Sequence, residues 1–582
     1  MNILLINPYC LDPRLQDYDI KVPPIGLYYI GARLIEEGHS CEILNLYDMQ
    51  GRQREIQEAV SSRQPDLIGI SILHANRWGG IDIARIAKTT APDLPIVFGG
   101  PGATFLWRHL LTHFPEIDYI VTGEGEKCMS DMIELLQEGR RDAISSLPGV
   151  ACRVDGQCIK NDPAPFIEEL DSLPDPSRHF SFQHVISSRG CPWNCAFCGS
   201  PRIWKRRVRF HSPNYFVSQL QRLHKKGSIN FFYVSDDTFT LNKQRVIDIC
   251  QLILEKKLEI NWAAISRVNH VDEEILYWMR KAGCMQISFG VESGSKKIRK
   301  ALNKELTNKQ IKEAFDMASS YGIMPRAYFI YGSPGENKKT IKESIRLIER
   351  IRPLSAIFYI LDIFPGTALY DDFKKRTGAD DDIWLNRIED IMYFETDPAI
   401  SKDAVLEFGK RLRKAFYRGL PKFADNIRLV DQQELYPLHA DFLSRLAMTF
   451  AFGDYSQNKD IPNPKAVAKR LFKRALKLYP DSRAYLGLAM LHQRTGNHFE
   501  VIKLLEEAMR IFPESVELQL CYGLSLMNTG KTEEALEIFL KNSSSQQSLE
   551  YARYCAQHLG RRDLVESLTN KLQNLSQGQV PQ

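Results

Sequence analysis

The sequence predicts an α/β protein in which an open, doubly wound parallel sheet precedes a partial (β/α)6 barrel, followed by all-α helical repeats. Strand-length apolar runs alternate with helix-length amphipathic segments over residues 1–170 and again over 171–400. Near the C-terminus, the segment at Gly496 is similar to the segment at Gly530. We therefore predict sheet, barrel and repeat regions at 1–170, 171–400 and 451–575, with a helical linker at 401–450.

Composition narrows the class of protein. The chain has 582 residues, 44% of them hydrophobic, and a net charge of only +5, which gives no indication of nucleic-acid binding. We find no apolar stretch long enough to span a bilayer and no secretory signal pattern. The twelve cysteines are mostly scattered, unlike a disulfide framework, so we expect a reducing, cytoplasmic location. The basic run 205–209 is interpreted as a solvated face rather than an anion-binding patch.

The first region reads as five buried strands separated by helices. The predicted strands are Ile3–Ile6, Cys41–Leu46, Leu67–Leu73, Ile96–Phe98 and Tyr119–Val121. Ligands of such sheets bind beyond the carboxyl ends of the strands. Two of those ends carry Ser71-Ile72-Leu73 and Gly99-Gly100, where the small residues would let a large flat ligand approach the backbone. A Rossmann-like sheet without a cofactor is the alternative.

A proline-rich connector at 161–178 leads to three closely spaced cysteines, Cys191, Cys195 and Cys198. The three cysteines are spaced as C-x-x-x-C-x-x-C and come just after a short apolar strand. Thiolates are ligands of both iron–sulfur clusters and zinc, but a structural zinc site requires four protein ligands. His179 and His184 are the nearest substitutes, at unfavourable spacing. We favour an iron–sulfur cluster; a zinc knuckle and three free thiols are the alternatives.

Six βα units are predicted in the second region, with polar residues at the strand ends. The strands are the one before the cysteines and the runs 230–234, 262–265, 285–289, 326–330 and 356–360. The chemistry of such barrels gathers at the C-terminal ends of the strands. There the sequence places Asp236 and Asp237, Arg267, and Glu292 and Ser293. A carboxylate such as Glu292 is costly to bury without a role.

The C-terminal region contains an internal repeat. Its period is about 34 residues, which is typical of tetratricopeptide repeats. Ala475 and Ala508 occupy equivalent small-residue positions. Stacked helix pairs of this kind form a concave surface for a peptide or protein. A helical lid or dimerisation arm is the alternative.

The cysteine loop resembles that of radical S-adenosylmethionine (radical SAM) enzymes, which place an aromatic residue, here Phe197, just before the third cysteine. The resemblance implies a [4Fe–4S] cluster on the three cysteines, with an open iron that binds SAM, and Phe197 near the adenine. It extends to Asp236-Asp237 near the SAM amino group and the substrate, to Gly290–Ser295 along the ribose and methionine, and to the turn 331–336. Arg267 is expected to pair with a carboxylate, and Lys304 falls where the family often has a lysine.

The first region resembles cobalamin-binding domains, which carry an S-x-L motif followed by Gly-Gly at about this separation. Ser71, Leu73, Gly99 and Gly100 would then contact cobalamin. The segment Gly123–Glu126 resembles the end of such domains in radical SAM proteins. The common D-x-H-x-x-G histidine is absent from the loop that begins at Tyr9, so that residue cannot ligate cobalt here. His74, directly after S-x-L, is an alternative neighbour of the corrin.

Together these resemblances imply a cobalamin-dependent radical SAM methyltransferase. In the family mechanism, an electron from the cluster cleaves SAM, a 5′-deoxyadenosyl radical takes hydrogen from an unactivated carbon, and methylcobalamin supplies the methyl group. Cyclisation or rearrangement without methyl transfer is the alternative. Methylthiotransfer and a purely scaffolding role are disfavoured. The expected partners are an electron donor such as flavodoxin or ferredoxin, and a peptide or protein bound by the repeats.

Overall fold

The computed structural model describes residues 1–11, 24–227, 229–542 and 545–577. The chain divides into two compact units. The first contains Met1–Met317 and Pro325–Ala415, and the second contains Ala318–Met324 and Phe416–Gln582. The first unit holds two large sheets, which correspond to the predicted open sheet and the predicted barrel, and a separate two-stranded antiparallel pair.

The open sheet has seven strands in the spatial order 2-1-3-4-5-6-7. They are β1 (Asn2–Asn7), β2 (Ser40–Asn45), β3 (Leu67–Ser71), β4 (Ile96–Gly99), β5 (Tyr119–Val121), β6 (Val150–Val154) and β7 (Gln157–Lys160). Its helices are α1 (Ile25–Glu36), α2 (Gln53–Ser61), α3 (Arg77–Thr90), α4 (Gly100–His113) and α5 (Glu126–Gln137). The first five strands pair in parallel, as predicted.

The antiparallel hairpin β6–β7 was not predicted. Its strands are joined by Asp155 and Gly156, with φ of 48° and 77°. Positive φ at both central residues is the requirement of a type I′ turn, for which Asp-Gly is a preferred sequence. The turn signal is therefore present in the sequence, but the flanking strands are too short to give a clear alternating pattern.

The barrel has six strands in sequence order, as predicted. Its strands are β8 (His184–Val185), β11 (Phe231–Val234), β12 (Asn261–Ser266), β13 (Cys284–Glu292), β14 (Met324–Tyr331) and β15 (Ser355–Ile360), and a separate antiparallel pair is formed by β9 (Ser188–Arg189) and β10 (Arg209–Phe210). The helices of this region are α6 (Ser200–Ile203), α7 (Pro213–Gly227), α8 (Lys243–Glu255), α9 (Glu273–Lys281), α10 (Lys296–Ala301), α11 (Asn308–Ser320), α12 (Lys338–Ile351) and α13 (Ala368–Thr377).

Helices make up the described part of the chain beyond residue 402. They are α14 (Lys402–Asp425), α15 (Tyr436–Ala451), α16 (Asp454–Gln457), α17 (Pro464–Leu478), α18 (Ser482–Gln493), α19 (His498–Ile511), α20 (Val516–Asn528), α21 (Thr532–Lys541), α22 (Gln546–His558) and α23 (Arg562–Gln577). Short connections join α17 to α23, and each of these helices packs on its neighbour in sequence. The C-terminal region is therefore helical, as predicted.

Throughout the ranges that the structure covers, no helix combines the length and the apolar character needed to cross a membrane.

The turn after β14 is closed by a buried carboxylate. Glu336 Oε2 accepts hydrogen bonds from the backbone N–H of Gly332, at 2.6 Å, and from that of Ser333, at 3.3 Å. The turn contains Gly332 and Gly335 at positive φ. Burial raises the pKa of Glu336 to about 7, although the two N–H groups act in the opposite direction. The residue therefore has a structural role in shaping this strand end.

We expect Glu336→Gln to change the pH dependence of stability. Because burial raises the folded-state pKa of Glu336, the protonated carboxyl stabilises the wild type fully below about pH 4.5. This stabilisation is lost as pH rises through about 7. Glutamine accepts the same two hydrogen bonds without ionising. The variant should therefore unfold at a higher temperature than the wild type at pH 8, with the gap closing towards pH 4.5, as followed by thermal unfolding. Glu349→Gln, at an exposed position of α12, is the control. Parallel curves for the wild type and Glu336→Gln would contradict the prediction.

Candidate functional site

The cysteine loop begins directly after β9 and is held by backbone contacts from distant parts of the first unit. Gly190 has a φ of 104°, and a Cβ there would lie 2.0 Å from the carbonyl oxygen of Arg207, so only glycine fits. Ala196 N–H donates to the Leu302 carbonyl at 3.0 Å, and its carbonyl accepts from Leu369 N–H at 3.1 Å. These contacts fix the segment that carries Cys191, Cys195 and Cys198, all of which are partly buried.

Asp236 anchors the strand that leads into this loop. Its carboxylate accepts four hydrogen bonds, from the backbone N–H and the hydroxyl of both Ser187 and Ser188, at 2.6–3.2 Å. Both oxygens are therefore used within the protein. The neighbouring Asp237 faces the other way, accepts a hydrogen bond from Ser200 Oγ at 2.7 Å and lines the cavity described below.

A buried ion cluster joins the cysteine loop to the open sheet. Arg189 donates to Glu124 Oε1 at 2.7 Å and to Glu126 Oε1 at 2.5 Å, and Arg209 donates to both oxygens of Glu124 at 2.7 and 3.0 Å. The β9–β10 register pairs Arg189 with Arg209, which sets the two guanidinium groups side by side. All four side chains are less than 10% exposed.

The opposite charges of this cluster keep Glu124 and Arg189 ionised although both are buried. Burial by itself raises the pKa of Glu124, but the hydrogen bond from Arg209 and the charge of Arg189 lower it below the ordinary value. Burial by itself lowers the pKa of Arg189, but Glu126 and Glu124 raise it. Both residues therefore stay ionised.

Sequence reasoning missed this cluster. The interpretation of the basic run 205–209 as a solvated face is wrong for Arg209, which is buried against Glu124. It holds for Arg207, whose pair with Glu168 is half-exposed. The available signal was the acidic Gly123–Glu126 segment in one domain and two arginines flanking the cysteine loop in the other.

Two of the thiols are strongly affected by burial and lie near charges of both signs. Burial raises the pKa of Cys198 to about 12 and also raises that of Cys195, while Lys304 and Arg267 act on Cys195 in the opposite direction. Arg267 lies 3.9 Å above the ring of Trp193, within the loop, and donates to the Glu305 carbonyl at 2.8 Å. Within the protein the Arg267 guanidinium thus contacts an aromatic ring and a carbonyl, and its pairing with a carboxylate stays a prediction.

Glu292 occupies a strained position beside the loop. Its φ is 61°, outside the region that residues with a side chain prefer, and its Oε1 accepts a hydrogen bond from Lys304 Nζ at 2.9 Å. A Cβ at Gly290 would lie 2.4 Å from Glu292 Oε1 and 2.7 Å from Lys304 Nζ, so glycine makes room for this pair. Sequence reasoning noted both residues but did not predict that they pair.

Two other predicted site residues, Ser293 and Phe197, pack against other residues of the protein. Ser293 is buried, its hydroxyl lies 3.2 Å from that of Ser344 on α12, and it accepts a hydrogen bond from Ser295 N–H. Phe197 is partly buried and packs against a hydrophobic cluster that includes residues of both the open sheet and the barrel.

The predicted motif residues of the open sheet come together at the carboxyl ends of β3 and β4. Ser71 pairs with Gly99 across the two strands. Gly100 has a φ of 86°, and a Cβ there would lie 2.8 Å from the Ile72 carbonyl oxygen. Gly99 is different, because the nearest atom to an added Cβ is the Val121 carbonyl oxygen at 3.8 Å. The backbone at Gly99 is therefore open to a ligand.

One cavity of about 620 Å³ unites the two halves of the site. From the open sheet it is lined by Ser71, Leu73, Gly99 and Gly100, and from the barrel region by Ser188, Cys198, Asp237 and Phe364. The size is in the range of cofactor and ligand sites. Cys191, Cys195, Phe197, Asp236, Arg267, Glu292 and Ser293 are not among the residues that line it.

The residues fit the cofactors that the resemblance implies. Three thiols on one loop match the donor set of a cluster with one open iron, and the buried thiols need a cation to be deprotonated. The bare backbone at Gly99 and the cavity beside it suit a flat ligand such as a corrin.

His74 lines the same cavity but is already engaged. Its Nε2 lies 2.8 Å from Asp362 Oδ2, and its ring stacks on Phe364 at 4.5 Å. The loop that lacks the D-x-H-x-x-G histidine begins with Tyr9 and Cys10, and its continuation at residues 12–23 lies outside the described residues.

Comparison with known proteins identifies both regions. The radical SAM superfamily model matches residues 185–348, and the B12-binding domain model matches residues 15–133. An uncharacterised methyltransferase of Pyrococcus horikoshii is 31% identical over 382 residues, which cover 64% of this chain and 83% of the relative. The anaerobic magnesium-protoporphyrin IX monomethyl ester cyclase of Rubrivivax gelatinosus is 26% identical, with 64% and 70% coverage.

The fold is also found in a solved structure. The radical SAM methyltransferase TsrM from Kitasatospora setae, with cobalamin and a [4Fe–4S] cluster bound, superposes with a TM-score of 0.58 at 16% identity. The match covers 82% of this chain and all of TsrM.

The chain is therefore a radical SAM enzyme and belongs to the class that also carries a B12-binding domain. Membership of this class implies a [4Fe–4S] cluster, SAM and cobalamin as cofactors.

We expect Glu124→Gln to destabilise the first unit by about 3–5 kcal/mol, because it leaves two buried guanidinium groups without their shared carboxylate. Urea unfolding of the full chain, followed by tryptophan fluorescence, should show a lower midpoint. The control is Glu168→Gln, which breaks the half-exposed pair with Arg207 and should cost less than about 1 kcal/mol. Equal midpoints for the two variants would show that the buried cluster does not stabilise the fold.

Proposed function

We propose that the protein is a cobalamin-dependent radical SAM methyltransferase that methylates an unactivated carbon. Cys191, Cys195 and Cys198 would hold a cluster that, together with SAM, would provide hydrogen-atom abstraction, and the strand ends at Ser71 and Gly99 would hold cobalamin as the methyl source. The similarity to the methyltransferase of P. horikoshii, at 31% identity and 83% coverage, supports methyl transfer.

The observation that carries the proposal is the shared cavity. Gly99 and Gly100 at the end of the open sheet and Cys198 of the cysteine loop line the same space of about 620 Å³. Methyl transfer to a substrate radical requires both cofactors to reach one substrate. A single space bordered by both motif sets supports that requirement.

In this proposal the site residues have separate roles. Cys191, Cys195 and Cys198 ligate the cluster, and Asp237, at the cavity wall, faces SAM or the substrate. Glu292 and Lys304 form a buried charged pair close to Cys195, where the polar groups of SAM would be recognised. Ser71, Leu73, Gly99 and Gly100 bind the corrin.

Four of the predicted positions that do not line the cavity have supporting roles in this proposal. Asp236 and Arg267 hold the strand and the loop on which the cluster depends, while Phe197 and Ser293 shape their surroundings.

Cyclisation without methyl transfer is the second candidate, because the cyclase of R. gelatinosus is also a relative. Product analysis separates the two reactions. We expect the protein, purified without oxygen and supplied with cobalamin, SAM and a reductant, to form both S-adenosylhomocysteine and 5′-deoxyadenosine. Formation of 5′-deoxyadenosine alone would favour cyclisation or rearrangement, and failure to retain any corrin would contradict the proposal.

In the same assay Cys195→Ala should lose the cluster, measured as iron and sulfide content, and both products.

Cys158→Ser is the matched control for the cysteine variant. It replaces a cysteine of β7, outside the cysteine loop, and should leave the cluster and both products unchanged. SAM cleavage that persists in Cys195→Ala would overturn the assignment of the cluster ligands.

We expect Gly99→Leu to weaken cobalamin binding roughly tenfold or more while the fold is kept, because the new side chain projects from an open backbone position into the cavity. Gly99→Ala should have a smaller effect, since its Cβ meets nothing closer than 3.8 Å. Corrin retained after gel filtration, together with the thermal unfolding midpoint, measures both properties. Wild-type corrin retention by Gly99→Leu would show that cobalamin binds elsewhere.

The reaction needs a one-electron donor, and we propose flavodoxin or ferredoxin in that role. The scattered spacing of the twelve cysteines, unlike that of a disulfide framework, supports a reducing cytoplasmic location.

We further propose that the C-terminal helices form tetratricopeptide-like repeats that bind a peptide or protein. Gly496 and Gly530 both follow a helix at positive φ, of 74° and 82°, in support of a repeated turn. A Cβ on Gly487 would lie 2.1 Å from the Phe472 ring, and one on Gly523 would lie 2.5 Å from the Phe539 ring. Close packing of helix pairs at glycine thus recurs along the array.

A further inference from the structure

Outside the cofactor site, two histidines and an aspartate converge at the edge of the first unit. His109 and His113 lie four residues apart in the last turns of α4, so both project from one face of the helix. Asp382 comes from a short 3-10 helix, Asp381–Leu385, that follows α13. Its Oδ1 lies 3.4 Å from His109 Nδ1 and 2.8 Å from His113 Nε2. All three ligand atoms lie within 4.8 Å of one another.

We propose that His109, His113 and Asp382 form a binding site for a divalent transition metal ion of the zinc class. Two imidazole nitrogens and a carboxylate oxygen are the donor set of many zinc sites, and paired histidines at i and i+4 present their rings to one ion. A water molecule would complete the tetrahedron.

The spacing of the donors suits such an ion. Bonds of about 2.0–2.2 Å from a tetrahedral zinc place neighbouring ligand atoms roughly 3.4 Å apart. The His109–Asp382 distance already has this value, and the His113–Asp382 distance needs to open by about half an ångström. The two imidazole nitrogens lie within 4.8 Å of each other, and rotation of the His113 ring, which is 29% exposed, would adjust both of its distances.

The surroundings provide both support and access. The backbone N–H of Asp382 donates to Asp380 Oδ1 at 3.0 Å, which fixes the start of its short helix. His109 is almost fully buried, with its ring against the edge of Phe114, whereas Asp382 is 55% exposed. An ion can therefore reach the ligands from solvent while one ligand is held rigidly from the protein side.

The position of the site indicates its role. Asp382 lies two residues before Trp384, a fully buried side chain that donates to Tyr370 Oη at 2.8 Å and lies beneath Arg77. The Trp384 ring also contacts His74, which lines the cofactor cavity. A metal at Asp382 would fasten the segment after the barrel to the open sheet near the rim of this cavity. The inference does not depend on which reaction the cavity supports.

Zinc binding to the full-length enzyme, with its cluster reconstituted and any affinity tag removed, tests the proposal. Equilibrium dialysis against Zn²⁺ with elemental analysis should give one zinc per chain, and zinc should raise the unfolding temperature. His113→Ala and the near-isosteric Asp382→Asn should each weaken zinc binding roughly tenfold or more and abolish the thermal shift. Unchanged circular dichroism and iron content establish that the variants are folded.

The matched control is His179→Ala. His179 lies 3.6 Å from Glu36, so it offers a histidine–carboxylate pair on the same unit, and the described residues supply no third ligand there. It should bind zinc as the wild type does. X-ray absorption at the zinc edge should show nitrogen and oxygen ligands only. Zinc binding that is equal in the wild type and His113→Ala, no binding at all, or sulfur ligands to zinc would each overturn the proposal.

Discussion

The buried cluster of Arg189, Arg209, Glu124 and Glu126 is the interaction on which the site depends. Arg189 comes two residues before Cys191, and Glu124 and Glu126 follow the last parallel strand of the open sheet. A buried charge without a partner costs several kcal/mol, so these four side chains are stable only when both halves of the first unit are in place. Arg209 adds a second guanidinium on the adjacent strand, so that one carboxylate, Glu124, holds both strands of the β9–β10 pair. The cysteine loop is thus positioned directly against the open sheet.

Apolar packing completes the attachment on the other side of the cavity. One hydrophobic cluster contains Ile70 and Trp78 of the open sheet together with Ile363, Leu369 and Trp384 from beyond the barrel. Such packing contributes most of the free energy but is not directional, whereas the ion cluster has donors and acceptors in fixed geometry. The first therefore holds the two sheets together, and the second determines how the ends of their strands face each other. The cavity is bordered by residues of both contacts, Glu124, Glu126 and Arg189 of the ion cluster and Ile70 of the hydrophobic cluster.

The sequence predicted the elements well where a pattern is local. The five parallel strands of the open sheet and the six of the barrel are each a short apolar run with clear boundaries. It did less well where the deciding contact is distant. Arg209 looked solvent-exposed in a basic run, but it is buried because Glu124, 85 residues earlier in the chain, lies opposite. The hairpin β6–β7 was missed although its Asp155-Gly156 turn is a clear signal. Its short strands are stabilised by pairing, of β6 with β5 and of β7 with β6, which the local sequence does not show.

The sequence by itself determined the chemistry of the cysteine loop, since three thiols within eight residues remain close in any fold that keeps the loop. It also determined the two small-residue strand ends, because Ser71 and Gly99 follow from strand boundaries. Only the tertiary structure decided that these ends and Cys198 line one cavity, that Asp237 rather than Asp236 faces it, and that Glu292 pairs with Lys304. The same holds for His109 and Asp382, which are 273 residues apart and meet at one oxygen. Local spacing fixes which groups are neighbours along the chain, but only packing fixes which groups share a space.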